Sequence, residues 1–84
     1  MLSTLEEAST LQEEVARARE LIHEGKQRIR RQRELIARLS GKGLDTTIAR
    51  QLLSQIEEAQ ALQMAKLEHL LAELQVAEPK APNE

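Results

Sequence analysis

The sequence predicts an all-α protein: an antiparallel helical hairpin of two long, coiled-coil-like helices, expected to dimerise into a four-helix bundle. Three observations lead there. Apolar residues recur at spacings of three and four along two long stretches, a short glycine-bearing segment separates the stretches, and the apolar stripes are wider than one partner helix can cover.

The first stretch, about residues 3–40, has no proline and one internal glycine, Gly25. Leu11, Val15, Ala18, Ile22, Gly25, Ile29, Gln32, Ile36 and Leu39 follow at alternating steps of four and three without a slip, the heptad seam of a helix that packs on another helix. At roughly 1.5 Å per residue such a helix exceeds about 50 Å, a rod rather than a globule. The second stretch, about residues 46–76, reads as a seam of Ile48, Leu52, Ile56, Ala59, Gln63, Leu67, Leu70 and Leu74. That spacing is nearer an eleven-residue repeat, which predicts little supercoiling.

Residues 41–45 form the expected turn. Gly41 stands where a helix takes a left-handed terminating residue, and Gly43 eases the next step. Asp45 is the expected N-cap of the second helix. So short a connection sets the helices antiparallel and adjacent. Residues 1–76 thus make one hairpin domain, and 77–84, with Pro79 and Pro82, are expected to be a disordered tail. Folding about Gly43 pairs Ala18 with Leu70, Ile29 with Ala59, Ile36 with Leu52, and Gly25 with Leu62 or Gln63. Gly25 then reads as a packing site against a bulky side chain, with a hinge as the other reading.

Surplus apolar residues are the argument for a second copy. Leu21 and Leu35 lie beside the seam of the first helix. Leu53, Met64 and Leu71 widen the second stripe on one side and Leu62 on the other. The expected dimer interface is Leu21, Arg28, Leu35, Leu53, Met64 and Leu71. There Arg28 either meets a carboxylate of the second copy or extends to water. Gln32 and Gln63 interrupt the stripes, as a register-fixing polar layer or as residues at the edge of the core.

Charge sets the expected orientation. Residues 1–24 carry a net −4, residues 25–50 a net +6 and residues 51–84 a net −4. A hairpin gathers the cations at its loop end, so two copies attract best antiparallel, with loops at opposite ends. Glu13–Arg17, Glu24–Arg28 and Glu34–Arg38 have the spacing of intrahelical ion pairs. The alternative partner is nucleic acid, with Arg30, Arg31, Arg38, Lys42 and Arg50 on phosphates; an unknown protein partner is a third.

Composition limits the chemistry. The chain lacks cysteine and aromatic residues, which removes disulfides, thiolate metal sites and base-stacking platforms. No apolar run is long enough to span a bilayer, and the acidic start does not resemble a signal peptide, so no membrane association and a cytoplasmic setting are expected. Glu20 and His23 have the Glu-x-x-His spacing of dimetal bundles, yet Ile22 pointing inward turns both outward. His69 falls on an outer face too, and Gly41-Lys42-Gly43 lacks the context of a phosphate loop. No enzyme activity, catalytic residue, metal or cofactor is expected.

Glu24-Gly25, Ile29, Gln32, Leu35-Ile36 and Leu39, then Gly43, Asp45-Thr46, Ala49 and Leu52-Leu53, resemble a group of short uncharacterised bacterial helical proteins of alphaproteobacterial type. Their pattern is EGxxxIxxQxxLIxxL followed by GxDTxxAxxLL. The resemblance covers about residues 21–74. It implies a bacterial helical scaffold of which the turn and Gly25 are shared parts, and it implies no activity.

Overall fold

A computed structural model describes residues 4–77, and among these it contains two helices and no strand. α1 spans Thr4–Gly41, 38 residues, and α2 spans Thr47–Ala77, 31 residues. They pack side by side and antiparallel, and the molecule measures 63 Å along its axis but only 14 Å through its thinnest direction. One helix layer has no third element to close it, so both flanks of the helix pair face outward. The expected hairpin is what folds. Ala77, expected in the tail, closes α2, and the rest of the expected tail, 78–84, lies outside the described residues.

The first helix packs through its expected seam. Every residue from Leu11 to Leu39 in the series above is buried or half-buried. The second does not pack as expected over its first half. Ile48 and Leu52 are exposed, at 76% and 46%, and Ala59 is exposed as well. The residues turned inward are Ala49, Leu53, Ile56, Gln60, Gln63, Leu67, Leu70 and Leu74. These alternate four and three, so α2 has the same seven-residue repeat as α1, not an eleven-residue one. The expected pairings of Ile29 with Ala59 and Ile36 with Leu52 are corrected accordingly. Gly25 faces Gln60, in place of Leu62 or Gln63.

Gln60 explains the correction. Its Nε2 donates to the Ile22 carbonyl oxygen of α1 at 2.8 Å, so a buried amide sits in the seam with a partner. Its terminal atoms lie over the Gly25 backbone, where an added Cβ would fall on Oε1 and come within 2.8 Å of Cδ. Only glycine leaves that space, which selects the packing role over the hinge. Gln32 mirrors the arrangement from α1, donating through Nε2 to the Ala49 carbonyl oxygen of α2 at 2.9 Å. Both amides are buried, and each bond holds only when the helices keep this register. Toward the open end Val15, Ala18 and Leu70 form the apolar cluster, with Leu11, Leu67, Leu71 and Leu74 against it.

The turn differs from expectation at both ends, by two residues at the left-handed position and by one at the cap. Gly41 is the last helical residue, and the left-handed residue is Gly43, at φ 72°. Gly43 N–H donates to Ser40 O at 3.0 Å and Leu44 N–H to Leu39 O at 2.9 Å, the paired bonds of a Schellman ending. Arg50 N–H donates to Thr46 O, which makes Thr46 the residue that opens α2. Asp45 sits one position earlier and acts as an Asx turn. Its Oδ1 accepts from Thr47 N–H at 3.0 Å and from Thr47 Oγ1 at 2.7 Å. These two bonds, the backbone one first, hold the carboxyl below the usual aspartate value. A lowered pKa means the charged cap is favoured above the ordinary aspartate range and lost as pH falls through the lowered one.

The two glycines of the turn separate in a test. Gly43→Ala keeps a positive φ with a Cβ attached and is expected to lower stability by about 1–2 kcal/mol. Gly41→Ala stays helical with nothing within 4 Å of the new carbon, and is expected to raise stability by about 0.5–1 kcal/mol. Midpoints of thermal unfolding followed by far-UV circular dichroism read both signs.

Candidate functional site

The two flanks of the seam differ in chemistry. One is polar: Arg33 Nη2 meets Glu57 Oε2 across the helices at 2.9 Å. Lys26, Arg30, Arg33, Glu34, Ile29, Ala37, Gln60 and Met64 line a shallow groove there. The ion pair is more than 40% exposed on both partners and so adds little stability. The other flank, called here the leucine flank, carries Leu21 and Arg28 of α1 beside Ala59 and Gln63 of α2 around a hollow of ≈ 110 Å³. Leu35, seven residues beyond Arg28, continues it along α1, and Leu52, seven before Ala59, continues it along α2. Ile48, Leu62 and Val76 lie one step further out on the same side. The large apolar side chains of α2 that remain exposed are Ile48, Leu52, Leu62, Met64 and Val76, and all but Met64 fall on the leucine flank.

This divides the six residues expected at one interface. Leu21, Arg28 and Leu35 share the leucine flank, the two leucines half-buried and the arginine exposed. Leu53 is in the seam between the helices. Met64 and Leu71, seven apart, lie on the polar flank, where Leu71 packs against the Val15–Ala18–Leu70 cluster. A flat surface therefore cannot present all six. The residues that accompany Leu21 and Leu35 outside the seam are Ile48, Leu52 and Leu62. Ile48 and Leu52 were assigned inward because apolar residues were followed at the expense of Gln60. The signal that finds them is the strict heptad of α1, which, imposed on α2, selects Ala49, Leu53 and Gln60.

The five cations considered for phosphate binding are all exposed but do not form one face. Arg31 and Arg38, seven apart on α1, border the leucine flank, whereas Arg30 lines the polar groove. Lys42 is in the turn, and Arg50 Nε is held by Thr46 Oγ1 at 2.9 Å. None of the three expected intrahelical pairs closes: Arg17 reaches Glu20 at 3.7 Å in place of Glu13, and neither Glu24–Arg28 nor Glu34–Arg38 forms. Exposed side chains gain too little from such contacts to fix their rotamers. Glu20 and His23 are exposed. His69 Nε2 lies 3.0 Å from Glu73 Oε1 on the outer face of α2. Among the described residues no three potential ligands gather for a metal ion, and no helix is long and apolar enough to cross a membrane.

At the centre of the leucine flank the Gln63 Oε1 atom is buried without a hydrogen-bond donor. Gln63 lines the hollow with Glu24, Gly25 and Arg28. A buried acceptor in that state costs about 1–3 kcal/mol, so a donor brought to this hollow would be favoured. Compared with protein-family models, curated proteins and solved structures, the chain matches none.

Proposed function

We propose that this protein is a self-associating helical module. It would pair with a second copy, loops at opposite ends, into a four-helix bundle that serves as a structural or protein-interaction unit and not as an enzyme. The observation that carries this reading is the row of uncovered apolar side chains on one flank of a single-layer hairpin, Ile48 and Leu62 at 76% and 73% exposure among them. The hairpin's own core is thin: among the described residues five apolar ones are buried, two of them alanines. Chains near this size draw no more than roughly 3–5 kcal/mol from one core, so covering the flank stabilises the fold as well as joining two copies. The −4/+6/−4 charge order supports the antiparallel orientation.

Light-scattering mass after size exclusion tests it, with refractive-index detection because the chain has no Trp or Tyr. A mass near twice 9.5 kDa is the expected result. A mass of one chain at all concentrations would overturn the reading.

A further inference from the structure

We infer that the second copy binds the leucine flank, and that the two-fold axis passes beside the hollow between Glu24 and Arg28, where each copy's glutamate meets the other's arginine. This rests on the self-association reading and adds which flank is buried and in what register.

Three independent features converge on that flank. The first is apolar area, since Leu21 and Leu35 of α1 share it with the exposed Ile48, Leu52 and Leu62 of α2. The polar flank instead carries the Arg33–Glu57 pair and the cationic groove.

The second is charge. Along the leucine flank of α1 the acids Glu7, Glu14 and Glu24 lie toward the open end, with Arg17 among them, and the cations Arg28, Arg31 and Arg38 lie toward the loop. A closed two-fold contact is self-complementary: if residue i meets j, then j meets i. With α1 antiparallel to its copy, the register that sets Glu24 against Arg28 also sets Glu14 against Arg38. Glu24 and Arg28 make no ion pair with each other or with another described residue, although they stand four residues apart. Both remain available to a second copy.

The third is Gln63, which lines this hollow and whose Oε1 is buried without a donor. Closure by a second copy excludes bulk water and confines the guanidinium groups of the two Arg28 side chains over it. Arginine offers five donors, enough for a carboxylate and an amide oxygen together.

The experiment compares light-scattering mass and dissociation constant for the full chain and its variants, with helicity checked by circular dichroism. Leu52→Glu and Leu62→Glu alter exposed sites on the leucine flank, so the hairpin keeps its helices, and both are expected to leave one-chain masses. Met64→Glu on the polar flank is expected to leave the dimer intact. Glu24→Arg sets arginine against arginine and is expected to weaken association by about tenfold or more. Glu24→Arg with Arg28→Glu exchanges the pair and should restore it. A dimer that survives both leucine changes and dissociates with Met64→Glu would overturn the assignment of the flank and leave self-association standing. A dimer lost with the leucine changes but indifferent to Glu24→Arg would overturn the register. A wild-type chain that stays single at all concentrations would overturn both readings, leaving the flank to a different protein.

Discussion

Gly25→Ala is expected to destabilise the hairpin by about 1 kcal/mol in the native background and to stabilise it by about the same amount once Gln60 is alanine. The sign reverses because two effects of similar size compete at one atom. Alanine is the better helix former by about 1 kcal/mol. Its Cβ, however, occupies the place of Gln60 Oε1 and stands 3.3 Å from Nε2. The amide has to leave, and with it goes the 2.8 Å bond to the Ile22 carbonyl. A buried amide stranded in this way costs about 1–3 kcal/mol, which outweighs the helical gain. With Gln60→Ala already in place nothing is displaced, and only the gain remains. Urea unfolding of the four members of this double-mutant cycle reads a coupling of about 2 kcal/mol, well above ordinary additivity error. Same-sign effects in both backgrounds would mean that Gln60 is not seated over Gly25. Gly25→Leu is harsher. A whole side chain driven into a filled seam costs about 1–3 kcal/mol or more, comparable to all that one core supplies, and the helices should separate.

Leu70→Ala is expected to cost about 2–5 kcal/mol and to abolish cooperative unfolding of the isolated hairpin. Leu70 is 5% exposed and packs with Val15 and Ala18 at the centre of the open-end cluster, with Leu67, Leu71 and Leu74 around it. Nothing behind that cluster can collapse into the cavity, because the molecule is one helix layer thick. The contrasting change is Leu62→Ala at 73% exposure, expected to shift the stability of the dilute single chain by no more than about 0.5 kcal/mol. Thermal melts at low concentration separate the two. Similar losses at both positions would mean that the cluster is not the seat of the hairpin's stability.

The hairpin was legible in the sequence because α1 states its period without ambiguity. Its seam positions hold Ile22, Ile29 and Ile36 alternating with Ala18, Gly25 and Gln32, and no apolar residue competes for the face. In α2 the competition is real. Ile48, Leu52 and Ala59 form a plausible stripe one residue away from Ala49, Leu53 and Gln60, and hydrophobicity alone prefers the wrong one. The deciding energy is not apolar. Gln60 gains a backbone carbonyl across the helices and fits only over a glycine, while Gln32 finds the carbonyl of Ala49. Amide geometry of this kind depends on which two residues meet, which a single helix pattern does not record. The same slip spreads the candidate interface over two flanks: Met64 and Leu71 widen the stripe on the side away from Leu21 and Leu35. At the turn, Gly41 and Gly43 were both suitable terminators. The left-handed place goes to Gly43, two residues further on, because α1 runs through Gly41 and Lys42 still flanks its end.

The two amide clasps lie at unequal distances from the turn, and this gives the chain an order of assembly. Gln32 and Ala49 are 17 residues apart, whereas Gln60 and Ile22 are 38 apart. Closing the longer loop from an open chain costs about 0.7 kcal/mol more in chain entropy. Once the nearer clasp has formed, however, the farther one has only a short segment left to close. The hairpin therefore zips from the turn outward, and each clasp checks the alignment before the next layers meet. A helix entering one residue out of step would present Ala59 or Ala61 to Gly25, make no bond to the Ile22 carbonyl, and come apart again. The glutamines thus act as proofreading steps along the zipper, at the cost of apolar contacts that leucines in the same places would have made.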